Sequence, residues 1–185
     1  DTGAELCRTS TLAAPDSAEY ATWGDVAPDR RGGGDMWIAG SYDPELDLVI
    51  FGTSQPKPWA AASRNMTVAD AALYTNSTLA VRPQTGELVW HFQHIPGETI
   101  DMEVGFERVL ADVDGKAVVL TMGKDGILWK LDRATGQYMA LIETMEQNIF
   151  DVDAATGRLK YRPDIANAGI GDTFNACPGI YGGHN

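Results

Sequence analysis

The sequence predicts an all-β fold of antiparallel strands joined by hairpins, and three observations carry that prediction. A Thr-Gly step recurs at Thr2-Gly3, Thr85-Gly86, Thr135-Gly136 and Thr156-Gly157, each time leading into a strand-like segment. Glycine there supplies the positive φ that a tight hairpin turn needs. The segments around the turns alternate apolar and polar residues, the period of a half-buried strand. Together they make a four-stranded unit about every 40 to 50 residues, the spacing of β-propeller blades, each too small to bury its own faces alone.

Taken in order, residues 10–31 are rich in Pro, Ala, Asp and Gly and read as a loop over one end of such a propeller. Gly32-Gly33-Gly34 lets backbone approach a ligand closely and is followed at once by the large aromatic Trp37. Residues 46–51 form an apolar, branched strand ending in a Gly/Pro-punctuated loop, 52–59, that carries one amide, Gln55. Residues 60–74 are helix-permissive or irregular, with Asp70-Ala71-Ala72-Leu73 the best short helical turn. Strands follow at 77–82 and 87–93, then at 116–122 and 126–132 with Gly123-Lys124-Asp125 between them. Residues 167–185 are glycine-rich with little periodicity. The chain starts inside a turn motif and stops beside a glycine pair, so residues 1–185 read as a single partial domain truncated at both ends.

Composition narrows the class. With 44% hydrophobic and 22% charged residues in 185, the chain can build one real core. A net charge of −12, with only 14 Lys and Arg, argues against a nucleic-acid partner and suits a basic protein partner instead. No run approaches the ~18 apolar residues of a membrane span, and no basic stretch followed by an apolar one opens the chain. Cys7 and Cys177 form neither a metal-spaced pair nor a disulfide framework. There is no G-x-S-x-G elbow, no G-x-G-x-x-G after a strand and no G-K-[ST] loop.

Three motifs stand in order: Gly32-Gly33-Gly34-Asp35-Met36-Trp37, then Tyr42-Asp43-Pro44-Glu45-Leu46-Asp47-Leu48, then Gly52-Thr53-Ser54-Gln55-Pro56-Lys57-Pro58-Trp59. Together they resemble the GGG-x-x-W, YDP-x-L-x-L and G-x-x-[NQ]-x-x-PW motifs of the pyrroloquinoline quinone (PQQ) alcohol dehydrogenases, the quinoproteins that include methanol and ethanol dehydrogenases. The resemblance implies part of an eight-bladed propeller. It also implies a docking tryptophan after each Thr-Gly turn, a position held by Trp90 but by Cys7, Ala140 and Tyr161 in the other copies.

Site residues follow from the same resemblance. Trp37 matches the floor on which PQQ stacks, where an indole offers dispersion and offset stacking to a planar ring; read alone, it is a core tryptophan between blades. Asp35 stands where relatives place a residue contacting the cofactor. Pro96-Gly97-Glu98-Thr99-Ile100-Asp101 resembles the family's P-[GH]-[DE]-x-x-D segment, which makes Asp101 the general base that takes the hydroxyl proton as hydride passes to the quinone C5. Read alone, Asp101 and Glu103 are a solvated acidic loop. Gln55, Asp101 and Glu103 are the expected metal ligands, an all-oxygen set that favours a hard cation, calcium or a lanthanide. Glu103 stands where the lanthanide-using branch commonly has Asp and the calcium branch has Ala. Lys124 matches the cation that hydrogen-bonds the quinone oxygens; read alone, it is an exposed hairpin lysine. Asn185 matches an Asn facing the quinone, and the lone His184 beside it reads as structural.

The resemblance thus implies oxidation of an alcohol to an aldehyde, with electrons passed to PQQ and then singly to a cytochrome c, in the periplasm, and leaves room for self-association of the full-length protein. The rival expectation is a binding or assembly propeller that keeps the blades and has lost the pocket. The two differ in whether Trp37, Gln55, Asp101 and Lys124 meet.

Overall fold

The computed structural model describes residues 3–182. Strands β1 (Gly32–Gly33), β2 (Ser41–Asp43), β3 (Leu48–Gly52), β4 (Pro56–Lys57), β5 (Ser77–Val81) and β6 (Leu88–Gln93) come first. Of these, β2, β3, β5 and β6 form one antiparallel four-stranded meander, while β1 and β4 clip together as a separate pair. The second meander is β7 (Val109–Val113), β8 (Lys116–Met122), β9 (Ile127–Asp132) and β10 (Tyr138–Glu143), in chain order across the sheet. A hairpin of β11 (Phe150–Asp153) and β12 (Arg158–Tyr161) follows, then one helical turn, α1 (Pro163–Ala166). This is the expected all-β architecture, two blades and the start of another.

The turns rest on more than glycine. At Thr135-Gly136 the Asp132 carboxylate accepts from the amides of Ala134 and Thr135, at 3.0 and 2.9 Å, while Gly136 donates to the Asp132 carbonyl with φ at +70°. Asp153 and Gly157 repeat the device. So does a loop that contains no Thr-Gly: Asp43 accepts from Glu45 and Leu46 at 2.9 and 3.1 Å, and Asp47 takes the left-handed place with φ +51°. Aspartate tolerates that region because its short polar side chain bonds locally.

Blade packs on blade through the same glycines. A β-carbon on Gly136 would stand 2.3 Å from Trp90 Cε3, so the Trp90 ring of the first meander lies directly on the turn of the second. Cys7 and Thr9 occupy the equivalent place over Gly86. Over Gly157 the ring is that of Tyr138; position 140, which corresponds to Trp90, holds only an alanine. Around Trp90, the residues Leu48, Ile50, Ala80, Val119 and Leu131 form the core between the meanders. Arg133 adds an ion pair to the buried Asp43 at 2.9 Å. A larger core joins the second meander to the β11–β12 hairpin through Ile127, Trp129, Ile149, Phe150 and Tyr161.

Two expectations are corrected. Residues 10–31 are not merely a loop: they contain 3-10 helices at Ala18–Trp23 and Pro28–Arg30, and Trp23 is fully buried with Ala13, Ala61, Met66 and Ala72. The Trp23 indole donates to the Leu73 carbonyl at 2.6 Å, docking this segment on residues 60–74. No helix forms at 70–73 either; the helical turn is Ala61–Arg64. Asp70 accepts from the Thr67 amide and hydroxyl instead, and Ala72 sits at φ +55°, outside helical space. Cys7 and Cys177 are both free. Among the described residues no helix is long and apolar enough to cross a membrane.

Candidate active site

Three loops from different parts of the chain meet where the strands end. The first follows β3 and carries Gln55; the second, 94–108, links the two meanders and carries Asp101 and Glu103; the third is the β8–β9 turn with Lys124. Asn76 ties the first two together from below. Fully buried at φ +48°, it donates its backbone N–H to the Ser54 carbonyl at 2.8 Å and accepts the Val104 backbone N–H on Oδ1 at 2.9 Å. The third is tied by the Lys124 amide, which donates to the Glu103 carbonyl at 3.1 Å.

The side chains converge accordingly. Lys124 Nζ lies 3.0 Å from Asp101 Oδ2 and 3.0 Å from Glu103 Oε1. Glu103 Oε2 accepts the backbone N–H of Gln55 at 3.4 Å. Partial burial pulls the Lys124 ammonium down, but its hydrogen bonds to Glu103 and Asp101 outweigh this and hold it above the ordinary lysine value. Two buried oxygens, Gln55 Oε1 and Asp101 Oδ1, have no hydrogen-bond partner in the protein. Two carboxylates and one ammonium leave a net negative charge beside these free oxygens, an environment that attracts a cation. Among the described residues no three His, Cys, Asp or Glu side chains cluster as an ion site, so an ion here needs the Gln55 amide or groups outside the chain.

Trp37 borders the same place. A β-carbon on Gly105 would stand 3.3 Å from Trp37 Nε1, and the Phe106 ring meets the indole edge-on at 5.1 Å. The indole is 48% exposed, which leaves it room to stack a planar molecule. It is not the buried inter-blade tryptophan that its type alone suggests. The Asp35 carboxylate pairs with the Lys57 ammonium and accepts from Ser54 Oγ at 3.0 Å, which hold it below the usual carboxylate range. Asn185 and His184 lie outside the described residues. Gly182, just before them, packs on Lys124, since a β-carbon there would meet Lys124 Cα at 3.1 Å.

Several supporting residues carry no signal in the sequence. Asp125 is fully buried, takes the Trp129 indole at 2.8 Å and the amides of Gly123 and Ile127, and so fixes the turn that presents Lys124. Burial pushes its carboxyl up to about 7. Arg108, 2% exposed, donates to Thr78 Oγ1 at 3.1 Å and to the carbonyls of Val104 and Phe106, pinning the loop behind Glu103. Its burial without a carboxylate in hydrogen-bond contact lowers it to about 9. An Asp-Gly hairpin and a lone arginine carry no pattern that signals such duties; their burial does.

Comparison with known proteins agrees with the β-propeller fold. A family model described as PQQ, glucose/ethanol/alcohol dehydrogenase, beta-propeller domain, matches residues 10–146. The quinohemoprotein alcohol dehydrogenase ADH IIB of Pseudomonas putida is 35% identical over 178 residues, covering 92% of this chain and 25% of that protein. The solved quinohemoprotein alcohol dehydrogenase of Comamonas testosteroni superposes with a TM-score of 0.75 at 29% identity, over 83% of this chain and 23% of that one. A europium-containing methanol dehydrogenase gives a TM-score of 0.74 at 30% identity, over 82% of this chain and 27% of that one. The chain therefore spans about a quarter of the length of the relatives it matches. The blades, the motifs and these likenesses coincide over most of the chain, which belongs to the PQQ-dependent alcohol dehydrogenase β-propeller family.

Proposed function

We propose that this chain supplies the base, the cation ligands and the stacking wall of an enzyme that oxidises an alcohol to an aldehyde with PQQ. The observation that carries the proposal is the meeting of Asp101, Glu103 and Lys124 within 3.0 Å contacts beside the unpartnered oxygen of Gln55. A scaffold propeller has no reason to gather these groups from loops tens of residues apart.

The residues fit the groups the family uses. Gln55 Oε1 and Asp101 Oδ1 are buried oxygens in want of a partner, and Glu103 adds a second carboxylate, so the donor chemistry is that of a hard cation, calcium or a lanthanide. The exposed Trp37 indole, with no side chain at Gly105 to crowd it, fits a flat ring. When bound, PQQ supplies the two-electron acceptor. The chain's own part is to hold it on Trp37, to take the alcohol's hydroxyl proton on Asp101, and to place the Lys124 ammonium where negative charge develops. Transfer of single electrons to a cytochrome c and a periplasmic setting complete the proposal and rest on the family resemblance; Asn185 is proposed to face the quinone on the same ground. Asp35, held by Lys57 and Ser54, is proposed to contact the cofactor on the same ground.

The test is cofactor binding. In a complete enzyme carrying this segment, Trp37→Ala is expected to weaken PQQ roughly ten- to a hundredfold, the loss of one aromatic stacking face and its buried area. Titration of PQQ against intrinsic fluorescence reads this directly, and unchanged affinity would remove Trp37 from the site.

A further inference from the structure

Asp101 stands in an unusual backbone conformation, and the residue that holds it there is not one of the site's polar groups. Its φ is +67°, in the left-handed region that a non-glycine residue enters at a cost. The residues on either side are anchored: Ile100 and Met102 are 5% and 1% exposed, and both belong to the core shared with Trp129 and Tyr161. What remains is to satisfy their amides, and one atom does so. Glu98 Oε1 accepts the Ile100 amide at 2.7 Å and the Met102 amide at 2.9 Å. Glu98 is itself fully buried, and Arg64 fixes its backbone by donating to the Glu98 carbonyl at 2.9 Å.

We infer that Glu98 is the positioning residue for Asp101: its carboxyl oxygen bridges the amides before and after the base and locks the turn that points the Asp101 carboxylate at Lys124. This deepens the proposal above and rests on its reading of Asp101 as the base. The clamp is an acceptor, not a charge. Burial pushes the Glu98 carboxyl up to about 7 against the two amide bonds, so both protonation states occur near neutrality, and Oε1 accepts in either. Two consequences follow. An amide oxygen of the same reach will serve, and an apolar side chain will not. A carboxylate one methylene shorter cannot span both amides from the same backbone.

The experiment uses the complete enzyme with PQQ and calcium or a light lanthanide, and compares Glu98→Gln, Glu98→Leu and Glu98→Asp, with Asp101→Asn as control. Glu98→Gln is expected to keep kcat within about threefold. Glu98→Leu is expected to lose about a hundredfold in kcat with KM little changed, the effect of a reacting group displaced by roughly an ångström. Amide hydrogen exchange in the metal- and cofactor-free protein is the second readout: the Ile100 and Met102 amides stay protected in Glu98→Gln and exchange faster in Glu98→Leu. Should Glu98→Leu fail to fold, Glu98→Asp carries the test, with a smaller loss of kcat and of protection at one of the two amides. Wild-type kcat in Glu98→Leu or Glu98→Asp, or equal loss in Glu98→Gln and Glu98→Leu, would overturn the clamp. Full turnover in Asp101→Asn would overturn the assignment of the base instead, while the exchange data still decide whether Glu98 holds the turn.

Discussion

Replacing Asp101 by alanine in a complete enzyme is expected to lower alcohol oxidation, followed with an artificial dye acceptor, by roughly a hundred- to ten-thousandfold while PQQ stays bound, the range a positioned general base contributes. The expectation comes from geometry. Asp101 Oδ2 is engaged by the Lys124 ammonium at 3.0 Å, and Oδ1 is buried without a protein partner, so one oxygen orients the group and the other is available. Removing the carboxylate takes away both the proton acceptor and one of the two anions facing Lys124. It touches neither the Trp37 face nor the backbone bonds from Glu98 to Ile100 and Met102. Retained absorbance of bound PQQ with lost turnover is the predicted pattern; turnover that persists removes Asp101 from its role.

The largest expected effect on stability lies far from the chemistry, at Gly136. A β-carbon there would stand 2.3 Å from Trp90 Cε3 and 2.7 Å from Cδ2, and the residue needs φ of +70°. Gly136→Ala therefore combines a left-handed penalty of about 1 to 2 kcal/mol with overpacking of about 1 to 3 kcal/mol. A combined loss of about 2 to 5 kcal/mol should appear as a clear drop in thermal midpoint. The part due to the ring is separable, because in a Trp90→Ala background the clash is gone and only the backbone penalty remains. Equal costs of Gly136→Ala with and without Trp90 would show that the two residues do not meet.

The same two regions show what a sequence discloses and what it hides. Blade strands and Thr-Gly turns were legible because alternation and a glycine at positive φ are local requirements, written where they act; β5, β6, β8 and β9 fall within a residue or two of their expected places. The Asp43 turn escaped notice because Asp47, not glycine, occupies its left-handed position. Residues 10–31 looked like a loop because their core is one tryptophan, Trp23, set among scattered small residues in 3-10 turns, which leaves no periodic stripe. Motifs single out Gln55, Asp101, Glu103 and Lys124, yet nothing local predicts that their loops meet; that depends on Asn76 and Arg108, whose bonds to these loops are with the backbone of Ser54, Val104 and Phe106 and so impose no partner residue type. Glu98 stands inside the P-[GH]-[DE]-x-x-D segment, but its bonds to the Ile100 and Met102 amides are hidden for the same reason. The pairing of Lys57 with Asp35 is not legible either, because β1 pairs with β4 and brings Lys57 alongside, a consequence of register rather than of spacing.

The central claim, that these loops form one oxygen-lined cation site beside an aromatic wall, is tested most directly by diffraction from crystals of the complete enzyme with PQQ and a light lanthanide, collected at the metal's absorption edge. The account predicts an anomalous peak about 2.3 to 2.6 Å from oxygens of Gln55, Asp101 and Glu103, the distance range of large hard cations, with the quinone lying on Trp37. A peak only among other surface carboxylates, or none between these three side chains, would contradict it.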